Sequence, residues 1–203
     1  MSQKKWGCYE PTLFPALADL PFLVGAMKIL VCAGHGGNDP GNTWGGTTEA
    51  ALMLELRHIV ALKLRQAGHE VTEDGGRGVN LTLNDAIRLA HGHDVAIELH
   101  TNASNTPTSA GVEVIAAPKN KALAQRIAQA IGRVLEIPVR RTGGLYPLAQ
   151  FKRERKFTPG FVRAGGLIVE VFFQSNPAEL GRYRERFWLV ATAIADAVGE
   201  QNP

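Results

Sequence analysis

Cysteine is scarce in this chain of 203 residues: there are two, Cys8 and Cys32. Two thiols so placed make neither a disulfide framework nor a four-cysteine zinc site. Cys32 lies in an apolar stretch and reads as a small buried hydrophobe. Long apolar runs are missing too. No segment reaches the roughly 20 residues that a membrane helix needs, so stable membrane insertion is not expected. The nearest approach, LFPALADLPFLVGAMKILV, is interrupted by Pro15, Asp19 and Pro21. Its VGA before Met27 is a weak cleavage signal, and the expectation is a chain made in the cytoplasm without a signal peptide. No run of Lys and Arg is interleaved with aromatics, which argues against a nucleic-acid surface. Repeats and low-complexity segments are absent. Charge of either sign is modest: 22 basic against 19 acidic residues, a formal net of +3. Such a balance favours an anionic partner without choosing one.

What is present is a core. The chain is 45% hydrophobic and 20% charged, enough for one sizeable domain and unlike a disordered polymer. KILVCA at 28–33 reads as a buried strand running into a Gly-rich loop, 34–46. From Thr47 to Gln66 apolar residues recur at helical spacing, and Gly68 stops the helix. Strands are expected at 70–74, 95–99, 112–117 and 166–173, and helices at 82–92 and 119–135. SNPAEL opens a C-terminal helical region running to about Val198. Segment 140–165 lacks clear periodicity, and loops of that length are often functional. Its basic residues suit an anionic partner or a solvated charge run. Strands alternating with helices predict a single α/β domain, a twisted, mostly parallel (mixed) sheet with helices on both faces. Because the first clear strand begins near Met27, the chain divides into an N-terminal extension, 1–26, and a domain, 27–203. Leu13, Phe14, Leu20 and Phe22 equip the extension to pack on the surface.

In open α/β sheets, ligands collect outside the carboxyl ends of strands. His35 follows strand 28–33, His100 follows strand 95–99, Glu170 lies inside the apolar strand LIVEVFF, and Glu49 is in the first turn of the helix after the Gly-rich loop. Two histidines and a carboxylate match a catalytic zinc shell with a position left for water, and a second carboxylate would act on that water. Each residue has a plainer reading: His35 as polar surface, Glu49 as helix-dipole compensation, His100 as a strand-end histidine bonded to backbone. Glu170 is harder to set aside, because a lone carboxylate in such a strand is costly to bury. Strand alternation points Glu98 the same way as His100, as an orienting partner for its imidazole or a solvated carboxylate. His91 and His93 read as a solvated turn, and GHGG lacks the spacing of a phosphate loop.

These pieces stand in a familiar order. AGHGGNDPG, the glutamate of GGTTEAAL, IELHTNAS, GVEVI and LIVEVFFQSNPAE together resemble the zinc-dependent N-acetylmuramoyl-L-alanine amidases, the catalytic domain shared by autolysins and phage endolysins. The resemblance covers about residues 28–198. It implies one Zn²⁺ per chain on His35, Glu49 and His100, with Glu170 as general base. The implied reaction is hydrolysis of the amide between N-acetylmuramic acid and L-alanine in peptidoglycan. The implied setting is a monomeric phage or prophage endolysin acting in the periplasm or cell wall after release. A zinc peptidase cutting stem-peptide bonds and a non-catalytic wall-binding module are the alternatives. The sequence departs from the family pattern at Cys32-Ala33-Gly34 before the first histidine, at Glu98-Leu99 before the second, and at Phe172 after the glutamate.

Overall fold

A computed structural model describes residues 25–76 and 78–200. The expected packing of Leu13, Phe14, Leu20 and Phe22, and Cys8, lie outside the described residues. Strand β1 (Lys28–Ala33) leads into the Gly-rich loop, which holds a two-residue hairpin, β2 (Thr43–Trp44) and β3 (Thr47–Thr48). Helix α1 (Glu49–Gln66) begins where the Thr48 side chain accepts the Ala51 N–H, and Gly68 just past its end has φ 91°. There follow β4 (Glu70–Glu73), α2 (Leu83–Ala90) capped by Thr82, β5 (Val95–Asn102), β6 (Glu113–Ala116) and α3 (Lys121–Leu135). The region without periodicity folds into three short elements: β7 (Leu145–Pro147), α4 (Leu148–Arg155) and α5 (Gly160–Arg163). Only Phe151 of α4 is buried, so that helix has almost no apolar stripe to read. Strand β8 (Leu167–Phe173) and helix α6 (Pro177–Gly199) complete the domain; Asn176 caps α6 and Pro177 lies in its first turn.

The sheet runs β4-β1-β5-β8-β6-β7. Strands β4, β1, β5 and β8 are mutually parallel; β6 is antiparallel to β8, and β7 is parallel to β6. The expected mixed, mostly parallel α/β sheet is therefore present. The long helices α1, α3 and α6 cover one face, burying Met53, Leu56, Ile131 and Val190 against Ile29, Val31 and Val169. The short helices α2, α4 and α5 cover the other through Ala86, Ala90, Phe151 and Phe161, over Leu30, Cys32, Ala96 and Ile168. No helix among the described residues is long and apolar enough to cross a membrane.

The second face changes character along its strands. The period of two carries Ala96 to Glu98 and His100, Ile168 to Glu170, and Ile115 to Glu113. Its covering helices have 8, 8 and 4 residues, against 18, 15 and 23 on the first face. The short helices roof the apolar part and leave the charged carboxyl ends reachable.

A buried ion pair braces that end. Arg57 in α1 and Asp74 just past β4 are both fully buried, and Arg57 Nη1 donates to Asp74 Oδ1 at 2.9 Å. Arg57 also donates to the carbonyls of Gly76 and Val79 and to Asn80 Oδ1. Asn80 in turn donates to the carbonyls of Ala33 and His35, at 2.6 and 2.9 Å. Burial lifts the Asp74 pKa to about 6 against the pull of Arg57. Replacing Arg57 with Met leaves Asp74 buried without its partner, a loss of roughly 3–5 kcal/mol. The folded pKa lies above the unfolded one, so the Asp74 proton stabilises the fold at low pH and that contribution is lost as pH rises through about 6. Urea melts should therefore show a larger Arg57→Met deficit at pH 8 than at pH 5; an equal deficit at both would refute this account.

Candidate metal centre

Three segments meet at the carboxyl ends of β1 and β5. His35 lies two residues beyond β1, Glu49 is the first residue of α1, and His100 sits within β5, which runs three residues further than its apolar pattern suggests. One side-chain ligand atom from each lies within 4.8 Å of the other two. Sequence reading singled out these three, and the fold brings them together.

The imidazoles are held in opposite senses. His35 Nδ1 is 2.9 Å from Asp39 Oδ2, which turns Nε2 toward Glu49 Oε2 at 3.5 Å. His100 Nε2 is 3.2 Å from Glu98 Oε2, which turns Nδ1 toward Glu49 Oε1 at 3.1 Å. The two rings meet edge to face, centroids 5.1 Å apart. Glu98 thus stands beside His100 as strand alternation predicts. Asp39, in the Gly-rich loop, is not among the residues that the sequence singles out. It does two jobs: its Oδ1 accepts the Gly41 N–H at 3.0 Å while Oδ2 meets His35. An aspartate four residues after a candidate ligand, in a tight loop, was the available signal.

Glu49 is buried and fixed by backbone: Thr101 N–H donates to Oε1 at 2.8 Å, and Asn42 N–H to Oε2 at 3.0 Å. Burial raises its proton affinity, but the hydrogen bond and charge of His100, the Asn42 N–H and the charge of His35 outweigh it, so the carboxyl stays below its ordinary range. For His100, burial disfavours the imidazolium, yet hydrogen bonds to Glu49 and Glu98 and the charges of Glu98 and Glu170 hold its pKa well above the usual value. A site that draws a positive charge so strongly onto converging nitrogen and oxygen donors suits a cation.

Two glycines are required by close approach. A Cβ on Gly34 would come within 2.0–2.3 Å of the His100 ring. On Gly41, where φ is +62°, it would come within 2.7 Å of both Glu49 Oε2 and the His35 ring.

Glu170 lies in register between His100 of β5 and Glu113 of β6. Just beyond it the pairing slips: His100 faces Glu170, but Asn102 faces Phe173, so β8 carries one extra residue. This bulge returns Val171 and Phe172 to the helical core after Glu170 has pointed to the opposite face. Glu170 Oε2 is buried with no hydrogen-bond partner among the described residues. Burial lifts its pKa to about 7; the charge of His100 opposes this, while Glu49 and Glu113 add to it. Glu113 itself is neutralised by Arg140 and Arg141, both at 3.1 Å.

The remaining histidines stand apart. His91 is exposed at the end of α2, but His93 is not in open solvent: its Nδ1 is 2.7 Å from the Leu89 carbonyl and its Nε2 is 3.1 Å from Thr72 Oγ1. His58 flanks α1 beside Glu73, and His69 Nδ1 accepts the Met27 N–H.

The residues present fit a metal ion. Two imidazole nitrogens and a carboxylate oxygen converge, each imidazole is steered by a carboxylate on its far nitrogen, and an unpartnered buried carboxylate oxygen lies on the same cleft.

The family described as N-acetylmuramoyl-L-alanine amidase matches residues 29–200. The Staphylococcus aureus (strain NCTC 8325 / PS 47) protein described as probable autolysin PH is 31% identical over 200 residues, 90% of this chain. The chain spans 40% of the length of that curated relative. A solved structure described as the putative N-acetylmuramoyl-L-alanine amidase from Neisseria meningitidis is 36% identical, with a TM-score of 0.77 over 85% of this chain and 93% of its own. The catalytic domain of the CD27L endolysin targeting Clostridia difficile, 23% identical with a TM-score of 0.64 over 87% of this chain and 99% of its own, shares the fold.

A cation held here stabilises the fold by mass action, about 2.7 kcal/mol at a free concentration 100 times Kd. Added zinc should raise the melting temperature of the metal-stripped protein and bind at about one per chain. His35→Ala and His100→Ala should abolish the shift. Gly34→Ala should weaken it by displacing the His100 ring while the apo protein melts near the wild-type temperature. An undiminished zinc shift in Gly34→Ala would mean that the His100 position does not matter for metal binding.

Proposed function

The chain belongs to the N-acetylmuramoyl-L-alanine amidase family, and on that premise we propose that it hydrolyses the amide joining N-acetylmuramic acid to L-alanine in peptidoglycan. The observation that carries the reading is Glu170, a buried carboxylate with an unpartnered oxygen, on the same polar cleft as the converging His35, Glu49 and His100. His35 through Nε2, Glu49 through its carboxylate and His100 through Nδ1 would hold a zinc ion. Zinc in such a shell supplies Lewis acidity, acidifying water and polarising a carbonyl.

The chain's own residues do the rest. Asp39 and Glu98 keep each imidazole presenting one nitrogen to the site. The N–H groups of Asn42 and Thr101 keep Glu49 ionised and immobile. Glu170 takes the proton of the attacking water as its oxygen adds to the lactyl carbonyl carbon. It then returns that proton to the alanine nitrogen as the carbon–nitrogen bond breaks. A proton affinity near neutrality suits a group that must accept and release within one turnover. All these residues come from one chain, so the site is complete in a monomer. The catalytic domain is taken as 27–203, with 1–26 an extension. The phage or prophage endolysin role is the finer part of this proposal, and it requires solubilisation of intact walls.

Glu170→Gln should keep its zinc and melt at or above the wild-type temperature, because a buried ionisable group has been removed. Its amide cleavage should fall by roughly 10²–10⁴, the worth of a positioned general base. Loss of zinc along with activity would make Glu170 a ligand instead. Mass spectrometry of the digest tests the reaction itself: new L-alanine amines and a lactyl acid on the sugar support an amidase. New termini within the stem peptide would show a peptidase, and binding without solubilisation a wall-binding module.

A chain begun at Met27 should fold and retain activity, since β1 and every site residue lie beyond that point. Met27 itself packs on the core and donates its N–H to His69, so it marks the shortest sensible start. A fall of many degrees in melting temperature would show that the extension is structural.

A further inference from the structure

Two clefts meet at the metal centre. The larger, about 530 Å³, is walled mainly by apolar side chains such as Phe151, Phe161 and Ile168, with Leu83 and Phe157 exposed at its rim. The smaller, about 330 Å³, is polar, with Asn42, Thr101 and Asn102 among its walls. Four residues line both: His35, His100, Glu170 and Arg155. The first three already have roles. Arg155 is the only lysine or arginine lining either cleft among the described residues. Its basic neighbours Lys152, Arg153 and Lys156 line neither. It is the last residue of α4 and is exposed, with its side chain hydrogen-bonded to Tyr146.

An amide substrate of the proposed kind has two unlike halves. The sugar half is rich in hydroxyl and acetamido groups and suits the polar cleft. The stem peptide bears methyl and methylene groups and suits the apolar cleft. Its second residue is joined onward through its side chain and so keeps a free α-carboxylate. That carboxylate lies about two residue lengths, roughly 7 Å, from the scissile nitrogen. A guanidinium at the mouth of the apolar cleft, beside the residue that handles the proton, is placed for it, and guanidinium–carboxylate pairs are strong and directional.

We propose that Arg155 is a specificity-determining residue: at the junction of the two clefts it binds the free α-carboxylate of the second stem-peptide residue, with the peptide lying in the apolar cleft. The inference rests on the amidase reading. Its test uses two muropeptides that differ only in that group, carboxylate in one and carboxamide in the other. The zinc-loaded wild type, Arg155→Ala and Arg155→Lys are assayed for kcat/KM on both, and for calorimetric Kd of the corresponding sugar-free peptides. Wild type should prefer the carboxylate by roughly 10- to 100-fold in both measurements, as one charge-assisted pair provides. Arg155→Ala should bring both ratios to about one, and Arg155→Lys should keep part of the preference. Unaltered melting temperatures verify the fold. If Arg155→Ala slows both substrates equally and keeps the ratio, Arg155 acts through Glu170 and the proposal is wrong. It is equally wrong if wild type shows no preference or favours the carboxamide. Failure of wild type to cleave either substrate would instead overturn the amidase reading, and this inference with it.

Discussion

The two oxygens of Glu49 are shared among four groups from two other segments. One oxygen takes the Thr101 N–H and faces His100; the other takes the Asn42 N–H and faces His35. The helix start, the Gly-rich loop and the end of β5 are thereby tied at a single carboxylate. Much else follows from that constraint. The loop must double back over the thirteen residues between His35 and Glu49, which Asp39 and Gly41 accomplish. Gly34 must lack a side chain so that the His100 ring can lie over it. A buried carboxylate facing two imidazoles is an arrangement that only a proton or a cation completes.

Behind this knot stands a division of the sheet. On one face long helices seal the apolar core from end to end. On the other, short helices roof Leu30, Cys32 and Ile168 and stop, leaving Glu98, His100, Glu113 and Glu170 on the open end of the same strands. The cost of carboxylates in a sheet is met locally: Glu113 by Arg140 and Arg141, Glu98 by His100. Of the carboxylates at this open end, Glu170 keeps a bare buried oxygen, and its burial raises its proton affinity. Arg57 and Asp74 hold the far side of the loop through Asn80, so a pair remote from the clefts still sets where the His35 backbone lies.

The order of strands and helices was readable in the sequence, because apolar periodicity and caps such as Thr48, Thr82 and Asn176 are local signals. So were His35, Glu49, His100 and Glu170 as a set, because each sits at a strand end, at a helix start or against the grain of an apolar strand. The helix α4 was not, since its single buried residue leaves no stripe. Only the tertiary structure decided which nitrogen of each histidine turns inward, that Asp39 and Glu98 do the turning, that a bulge follows Glu170, and that Arg155 of all the basic residues nearby reaches the clefts. These depend on register between strands distant in sequence and on how far a short helix extends over a sheet. Neither leaves a periodic trace in the chain, because each is set by contacts made after the local elements have formed.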